Sequence, residues 1–282
     1  MRNIHLRLFR YARNDGNTQQ ASADACGQHA DMLISIVSRA RPDDKYQDKL
    51  QIKIIKNKKL KIMTHLEEEI LKTKTETTKM FEIVVSQVEN AYKALFTKDV
   101  ALAMSIKDKE EQINRMELEI EKQVENVFAL FTPVAIDLRF LMSVLRIIYN
   151  LERIGDSTKA IAKFIIKKKY ILDEDIIGKI NLNEIYEMAF KSVLLAKEAF
   201  EKEDVKLAYQ LVEKGVDMEE LCDEAQIKIA EYIRQNPDKT EYGLSILSLL
   251  RKIERMQDQS KNIAREVIFY LEAKILKHQG KV

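Results

Sequence analysis

Four pairs of oxygen-bearing side chains recur along the sequence, and the two members of each pair are four residues apart. The pairs are Glu110 with Asn114, Glu152 with Asp156, Glu213 with Asp217, and Glu254 with Asp258. On a helix, residues i and i+4 lie one above the other on the same face. If two such pairs face each other across adjacent helices, up to four oxygen ligands converge. With no His or Cys nearby, that set suits hard cations such as Mg²⁺, Mn²⁺ or Fe³⁺.

Ion pairing is the alternative explanation of the same pattern. The chain has 45 acidic residues among 282, so several acidic pairs at this spacing arise by chance. Most such pairs are solvated or salt-bridged helix faces. Arg153 and Arg255 directly follow Glu152 and Glu254 and are suitable partners. Recurrence of the pairs in both halves of the chain is what favours metal binding.

An internal repeat with an offset of about 102 residues relates the pairs in the first half of the chain to those in the second half. Residues 145–166 and 247–268 are identical at 8 of 22 positions, and the identities include the Glu and Asp of the pairs in question. A second correspondence, at an offset of 103, relates residues 110–114 to residues 213–217. These two stretches are followed three residues later by Glu117 and Glu220. The repeat predicts two diverged copies of one structural unit.

Apolar residues at steps of three and four predict long helices. With only 7 Gly and 3 Pro, the chain offers few tight turns, which argues against a sandwich, a barrel or a Gly-rich α/β fold. Helices are predicted at about 64–96, 99–131, 132–169, 182–200, 204–234 and 237–277. Thr132 and Pro133 are predicted to open the third helix. The sequence therefore predicts an all-α fold of two tandem antiparallel three-helix bundles.

Residues 1–62 differ from the remainder of the chain in their charged-residue composition. They carry 13 Lys and Arg against six Asp and no Glu, whereas the remainder carries 34 basic and 39 acidic residues. The Lys-, Ile- and Asn-rich stretch 51–62 resembles translated AT-rich noncoding DNA. We interpret residues 1–62 as a disordered arm or as no part of a native product that starts at Met63, with a transit peptide as the rival reading. The predicted bundles then occupy residues 63–178 and 179–282.

The sequence lacks the features that several functional classes require. No apolar stretch reaches the length of a membrane span. The mildly acidic body gives no reason to expect nucleic-acid binding. Cys26 and Cys222 are far apart, so a disulfide framework is not expected and a reducing cytoplasm fits best. No phosphate-binding loop and no nucleophile pattern is present, so we expect no catalytic or cofactor-binding residues and no enzyme activity.

The motifs resemble those of the PhoU family of phosphate-transport accessory proteins. The resemblance rests on L-E-R-I-G-D-S-x-K-x-I-A at residues 151–162, on the repeated E-x-x-[I/V]-[N/D], and on residues 133–139 at the start of the third helix. It covers residues 63–276. It implies two three-helix bundles, multinuclear clusters of iron, manganese or magnesium, and a homodimer. It also implies negative regulation of phosphate uptake and of the starvation response, through the ATPase subunit of the phosphate ABC importer and a sensor histidine kinase at the membrane.

The resemblance also assigns metal ligands. They are Glu110, Asn114, Glu152 and Asp156 in the first half, and Glu213, Asp217, Glu254 and Asp258 in the second. Asn114 departs from the carboxylate form of the motif, so the first site should hold metal less tightly. Two other classes stay open: a structural interaction module with ion-paired carboxylates, and a carboxylate-metal hydrolase.

Overall fold

The computed structural model describes residues 64–167, 173–213 and 215–276, and within them it contains helices and no strand. The expectation for residues 1–62 lies outside the described residues. The helices are α1 His65–Thr97, α2 Val100–Leu130, α3 Ala135–Ile166, α4 Glu174–Lys179, α5 Leu182–Lys202, α6 Val205–Glu213, α7 Gly215–Gln235 and α8 Thr240–Glu272. None of these helices has the length and apolar character needed to cross a bilayer. The predicted all-α fold is confirmed.

Helix starts are correctly predicted where a side chain caps them. Thr64 accepts a hydrogen bond from the Glu67 N–H, and the Glu67 carboxylate accepts one from the Thr64 N–H, which is a capping box. Asp99 accepts a hydrogen bond from the Leu102 N–H at 2.9 Å and opens α2. Asp204 likewise accepts from the Lys206 N–H, one residue into α6. These side chains satisfy amides that have no partner within the helix.

The predicted start of α3 at Thr132 and Pro133 is wrong. The chain stays extended through Val134, whose backbone is at φ −126° and ψ 156°, and α3 begins at Ala135 without a side-chain cap. Val134 is β-branched and favours this extended conformation. The N-cap and the first helical residue therefore lie two residues later than the Thr-Pro pattern indicates.

The predicted end of α8 at Lys277 is also wrong. Ala273 adopts the left-handed conformation at φ 58°, and its N–H bonds the Phe269 carbonyl at 2.8 Å, which closes the helix at Glu272. Two further differences concern the second half. A short helix, α4, lies in the stretch predicted as a connection, and the predicted fifth helix comprises α6 and α7, with residue 214 outside the described residues.

The two halves share an extensive contact between their third helices. Among the described helices, α3 packs most extensively against α8, and it also contacts α1 and α2. Ser143 donates a hydrogen bond to the Glu266 backbone carbonyl, whereas Thr158 lies against Met256, so the two helices run antiparallel. Their buried faces belong to one continuous apolar cluster. The boundary between residues 178 and 179 stays a prediction.

A second contact joins the first helix of each half. Tyr186 on α5 is fully buried and donates a hydrogen bond to the Val88 carbonyl of α1 at 3.0 Å. Burial raises the pKa of the Tyr186 hydroxyl well above its ordinary value. Phe81 on α1 lies 5.4 Å from Phe200 on α5, measured between ring centroids. These aromatic contacts add specific geometry to the buried area.

The close approach of α7 to α8 at Gly243 yields a first prediction. A Cβ atom there would lie 2.4 Å from Ile233 Cγ1, whereas nothing lies within 4 Å of the equivalent position at Gly178. We expect Gly243→Ala to lower the free energy of unfolding by about 1–3 kcal/mol through overpacking. Gly178→Ala should leave it unchanged or raise it by up to about 1 kcal/mol. Urea unfolding followed by circular dichroism measures both, and equal effects would contradict the packing of α7 on α8.

Candidate metal centre

The structure brings the four predicted residues of the first half to one place between α2 and α3. Asn114 donates a hydrogen bond to the Glu110 carboxylate at 3.0 Å, one helical turn away. Asp156 on α3 lies close enough to Glu110 to influence its pKa, and the charges of Glu110 and Glu117 on α2 act on Glu152 across the two helices. The predicted juxtaposition of the two pairs is therefore present in this half.

Glu110 is the buried centre of the group and is paired with a lysine. Its side chain is 4% exposed, and its Oε2 atom lies 2.6 Å from Lys159 Nζ on α3. Burial alone would raise the pKa of Glu110, but the hydrogen bonds from Lys159 and Asn114 outweigh it and hold the pKa below its ordinary value. Glu110 is thus held in its charged form.

The pKa of Glu152 is shifted in the opposite direction from that of Glu110. Burial, followed by the charges of Asp156 and Glu117, raises the pKa of Glu152 to about 7, although Arg153 partly opposes this. Burial and the neighbouring Glu121 likewise raise the pKa of Glu117. Several carboxylates therefore lie together with too few cations to neutralise them. Such a group is stabilised by any added positive charge.

The side-chain oxygen of Asn114 is a hydrogen-bond acceptor that is left unsatisfied among the described residues. Its Oδ1 atom is buried and has no hydrogen-bond partner among the described residues. A buried acceptor without a partner costs on the order of 1–3 kcal/mol. An unpaired oxygen beside three carboxylates fits the donor set of a hard cation. The residues present are therefore suited to the ions that the resemblance implies.

The second half is arranged differently. Glu254 pairs with Arg251 at 2.9 Å, and Asp258 lies 3.9 Å from Lys261 Nζ. Burial raises the pKa of Asp258, with Lys261 opposing and Glu254 adding to the rise. The buried Lys261 also pairs with Glu219 on α7 at 3.0 Å. Asp258 is therefore linked to α7 through Lys261 and Glu219, and neither of these two residues is a predicted ligand.

The other two predicted ligands of the second half are not brought into this group. Glu213 is exposed at the end of α6, and the Asp217 side chain lies outside the described residues. Within the described part of the chain, no three or more Asp, Glu, His or Cys side chains are arranged to hold a metal ion as they stand. The eight predicted metal ligands therefore stay a prediction.

Sequence reasoning missed two members of the first group. Lys159 pairs with Glu110, and Glu117 contributes charge to Glu152 and lies near Asp156. The repeat contains a signal for both, because Lys159 aligns with an identical Lys261 and Glu117 aligns with Glu220. In both halves the repeated lysine contacts a carboxylate of the preceding helix, so it is part of the same duplicated pattern.

The geometry defines a duplicated helical protein whose two central helices present oxygen donors beside lysines. The PhoU domain family matches residues 77–165 and 182–267, more than half of the chain and one copy in each half of the repeat. The chain therefore belongs to the PhoU domain family.

Relatives and solved structures of this family cover most of the chain. It is 29% identical to the phosphate-specific transport system accessory protein PhoU homolog 1 of Thermotoga maritima, over 76% of this chain and 91% of that protein. It is 29% identical to the PhoU homolog of Aquifex aeolicus, over 78% of this chain and 97% of the homolog. The crystal structure of PhoU from Pseudomonas aeruginosa superposes with a TM-score of 0.70 at 27% identity, over 74% of this chain and all of the other.

The buried ion pair of Glu110 and Lys159 yields a second prediction. Lys159→Met leaves Glu110 buried without its cation, so we expect the free energy of unfolding to fall by about 2–4 kcal/mol. Lys163→Met, one turn further along α3 and exposed, should change it by less than about 0.5 kcal/mol. Urea unfolding in the presence of a chelator measures both.

A double variant tests the cause of that loss. Lys159→Met combined with Glu110→Leu removes both charges and should recover a large part of the lost free energy. An equal loss in the double and the single variant would show that Lys159 acts through packing of its side chain and not through its charge.

Proposed function

We propose that this protein is an accessory protein with a regulatory role in phosphate transport. The supporting observation is the pair of PhoU-domain matches, one in each half of the repeat. Relatives that carry the name phosphate-specific transport system accessory protein match over nearly their whole length. The chain thus spans nearly the whole length of those proteins.

The proposed role is negative regulation through protein contact. We propose that the chain lowers phosphate uptake and starvation signalling by binding the ATPase subunit of the phosphate ABC importer and a sensor histidine kinase. Support comes from the exposed apolar side chains around the α2–α3 connection, which include Leu130 and Val134. Residues 137–139 of this region have no clear counterpart in the second half. A contact there would be made by one half only.

The protein would act in the cytoplasm, as a homodimer and without catalysis. The names of the relatives, which describe accessory proteins, support the absence of catalysis. The cytoplasm and the homodimer rest on the family resemblance. Attachment to the membrane would then occur only through the importer and the kinase.

We further propose that each half binds a hard cation. Glu110, Asn114, Glu152 and Asp156 would hold it in the first half, and Glu213, Asp217, Glu254 and Asp258 in the second. The unpaired Asn114 oxygen and the excess of carboxylates around Glu152 support the first site. A bound Mg²⁺, Mn²⁺ or iron ion would supply the positive charge that this group lacks. Binding requires the Glu110 carboxylate to exchange its lysine partner for the ion.

A structural module without metal is the second candidate. The pairs Glu110–Lys159 and Arg251–Glu254 favour it, because they satisfy one predicted ligand in each half by a protein cation. In that case the carboxylates position helices and have no inorganic ligand. Elemental analysis distinguishes the two candidates.

The regulatory role is tested by phosphate uptake in the native host. Deletion of the gene should raise uptake in phosphate-rich medium, and the wild-type gene should restore repression. The double variant Leu130→Glu with Val134→Glu should fail to restore it although the protein folds and accumulates. The matched control, Ile227→Glu with Leu244→Glu, alters two apolar residues of the second half that are also more than half exposed, and it should restore repression. Unchanged uptake on deletion would contradict the proposed role.

Metal binding is tested by elemental analysis of protein purified from the native host. Wild-type protein should contain Mg, Mn or Fe in stoichiometric amount, and Glu152→Ala with Asp156→Ala should lose the share bound in the first half. A control pair, Glu231→Ala with Asp238→Ala, removes two exposed acids and should retain the full amount. Absence of metal from wild-type protein, or equal contents in all three proteins, would favour the structural module.

A further inference from the structure

A groove of about 620 Å³ runs between α3 and α8 and has a strongly basic lining. Its cationic side chains outnumber the two acidic ones, Asp156 and Asp258. They are Arg153, Lys159, Lys163, Lys252 and Arg255. Such a concentration of like charge is unfavourable unless solvent, salt or a bound anion compensates it.

Three of these cations have no partner within the described residues. Lys159 is paired with Glu110, and Arg153 donates a hydrogen bond to the Tyr149 hydroxyl at 2.5 Å and lies 3.8 Å from a carboxylate oxygen of Glu152. Lys163, Lys252 and Arg255 form no hydrogen bond or ion pair through their side chains among the described residues. Elsewhere on this protein, surface lysines commonly pair with an acid one turn away, as Lys93 does with Glu89. The groove thus contains basic groups that the fold does not use.

The two walls of the groove are related by the internal repeat. Arg153 and Arg255 occupy equivalent positions of the repeat, and the antiparallel packing of α3 and α8 places one on each wall. Each guanidinium group presents several N–H donors in a planar fork that matches oxyanions. Donors approaching from two sides suit a tetrahedral phosphoryl group, whose oxygens point in several directions, better than a planar carboxylate.

The charge outside the groove limits the size of the ligand. From residue 63 onward the chain has 34 basic and 39 acidic residues, so the groove is a basic site on an acidic body. A long polyanion such as a nucleic acid would extend over acidic surface and be repelled. A small anion that fits between the two walls meets five cationic side chains and two acidic ones.

We propose that the groove between α3 and α8 binds a small multivalent phosphoryl anion, such as a diphosphate or a triphosphate group. Lys163, Lys252 and Arg255 supply the uncompensated charge, and Arg153 with Arg255 supplies guanidinium forks from the two halves. The groove adjoins the proposed metal centres, because Asp156 and Asp258 line it, but the side chains proposed to bind the anion are not proposed metal ligands. A diphosphate carries enough charge to neutralise three lysine and arginine side chains.

The test is calorimetric titration of the full chain with pyrophosphate, in chelator and at about 0.15 M salt, where long-range attraction is screened. We expect saturable binding with one site per chain. Lys252→Gln with Arg255→Gln should weaken it by about tenfold or more, because two charge-assisted contacts are lost. Lys206→Gln with Arg234→Gln removes the same two residue types from exposed positions outside the groove and should change the Kd by less than about twofold.

A second variant and two further probes complete the design. Lys163→Gln changes a single exposed side chain and should weaken binding by itself, which covers the case in which the double variant does not fold. Inorganic phosphate should bind more weakly than pyrophosphate, and citrate at the same charge should bind more weakly than either. Equal binding of citrate would overturn the phosphoryl assignment.

Three results would overturn the site itself. They are an absence of saturable binding, an equal loss of affinity in the groove variant and the control variant, and binding that occurs only after Mg²⁺ is added and is insensitive to Lys252 and Arg255. The last result would place the anion on a metal ion and would leave the proposed metal centres intact.

Discussion

The antiparallel packing of α3 against α8 is the contact on which the other features depend. Ser143 and Arg146 of α3 meet the buried Glu266 of α8, and Thr158 meets Met256, so the two repeated helices lie along each other. Because the two helices are copies of one sequence pattern, this packing brings equivalent residues of the repeat close together in space. Equivalent arginines and aspartates come to the two sides of one groove, and each helix also closes the core of its own half.

Partial burial of carboxylates is the second constraint. An isolated buried charge is unfavourable, so it must gain a cation or become neutral. Glu110 gains a cation, because it pairs with Lys159, whereas the raised pKa of Glu152 favours its neutral form. The two halves differ in which carboxylate the repeated lysine neutralises. In the second half, Lys261 pairs with Glu219, whereas Glu213, the counterpart of Glu110, is exposed. Divergence after duplication has therefore changed which acid is neutralised, while the lysine has kept its position.

The helices and one face of each could be predicted from sequence, because apolar spacing and capping residues act locally. Thr64 and Asp99 open helices where predicted. The end of α8 could not be predicted, because Ala273 adopts a left-handed conformation that its residue type does not favour. The spacing of Glu110 and Asn114 correctly placed both on one face. It could not indicate Lys159, because a contact between helices depends on their relative rotation and not on spacing within either one.

If the first half binds a cation as proposed, the lysine beside Glu110 would influence which ions can bind. A cation that binds this carboxylate displaces an ammonium group of charge +1 at 2.6 Å. A monovalent ion would restore only the charge that it removes, and it would still have to shed its hydration shell. A divalent or trivalent ion brings additional charge that acts on Glu152 and Asp156, whose mutual repulsion contributes to the raised pKa of Glu152. In the proposed site, the same pair that favours a metal-free structural role would therefore oppose binding of Na⁺ and K⁺ and would be displaced only by ions of higher charge.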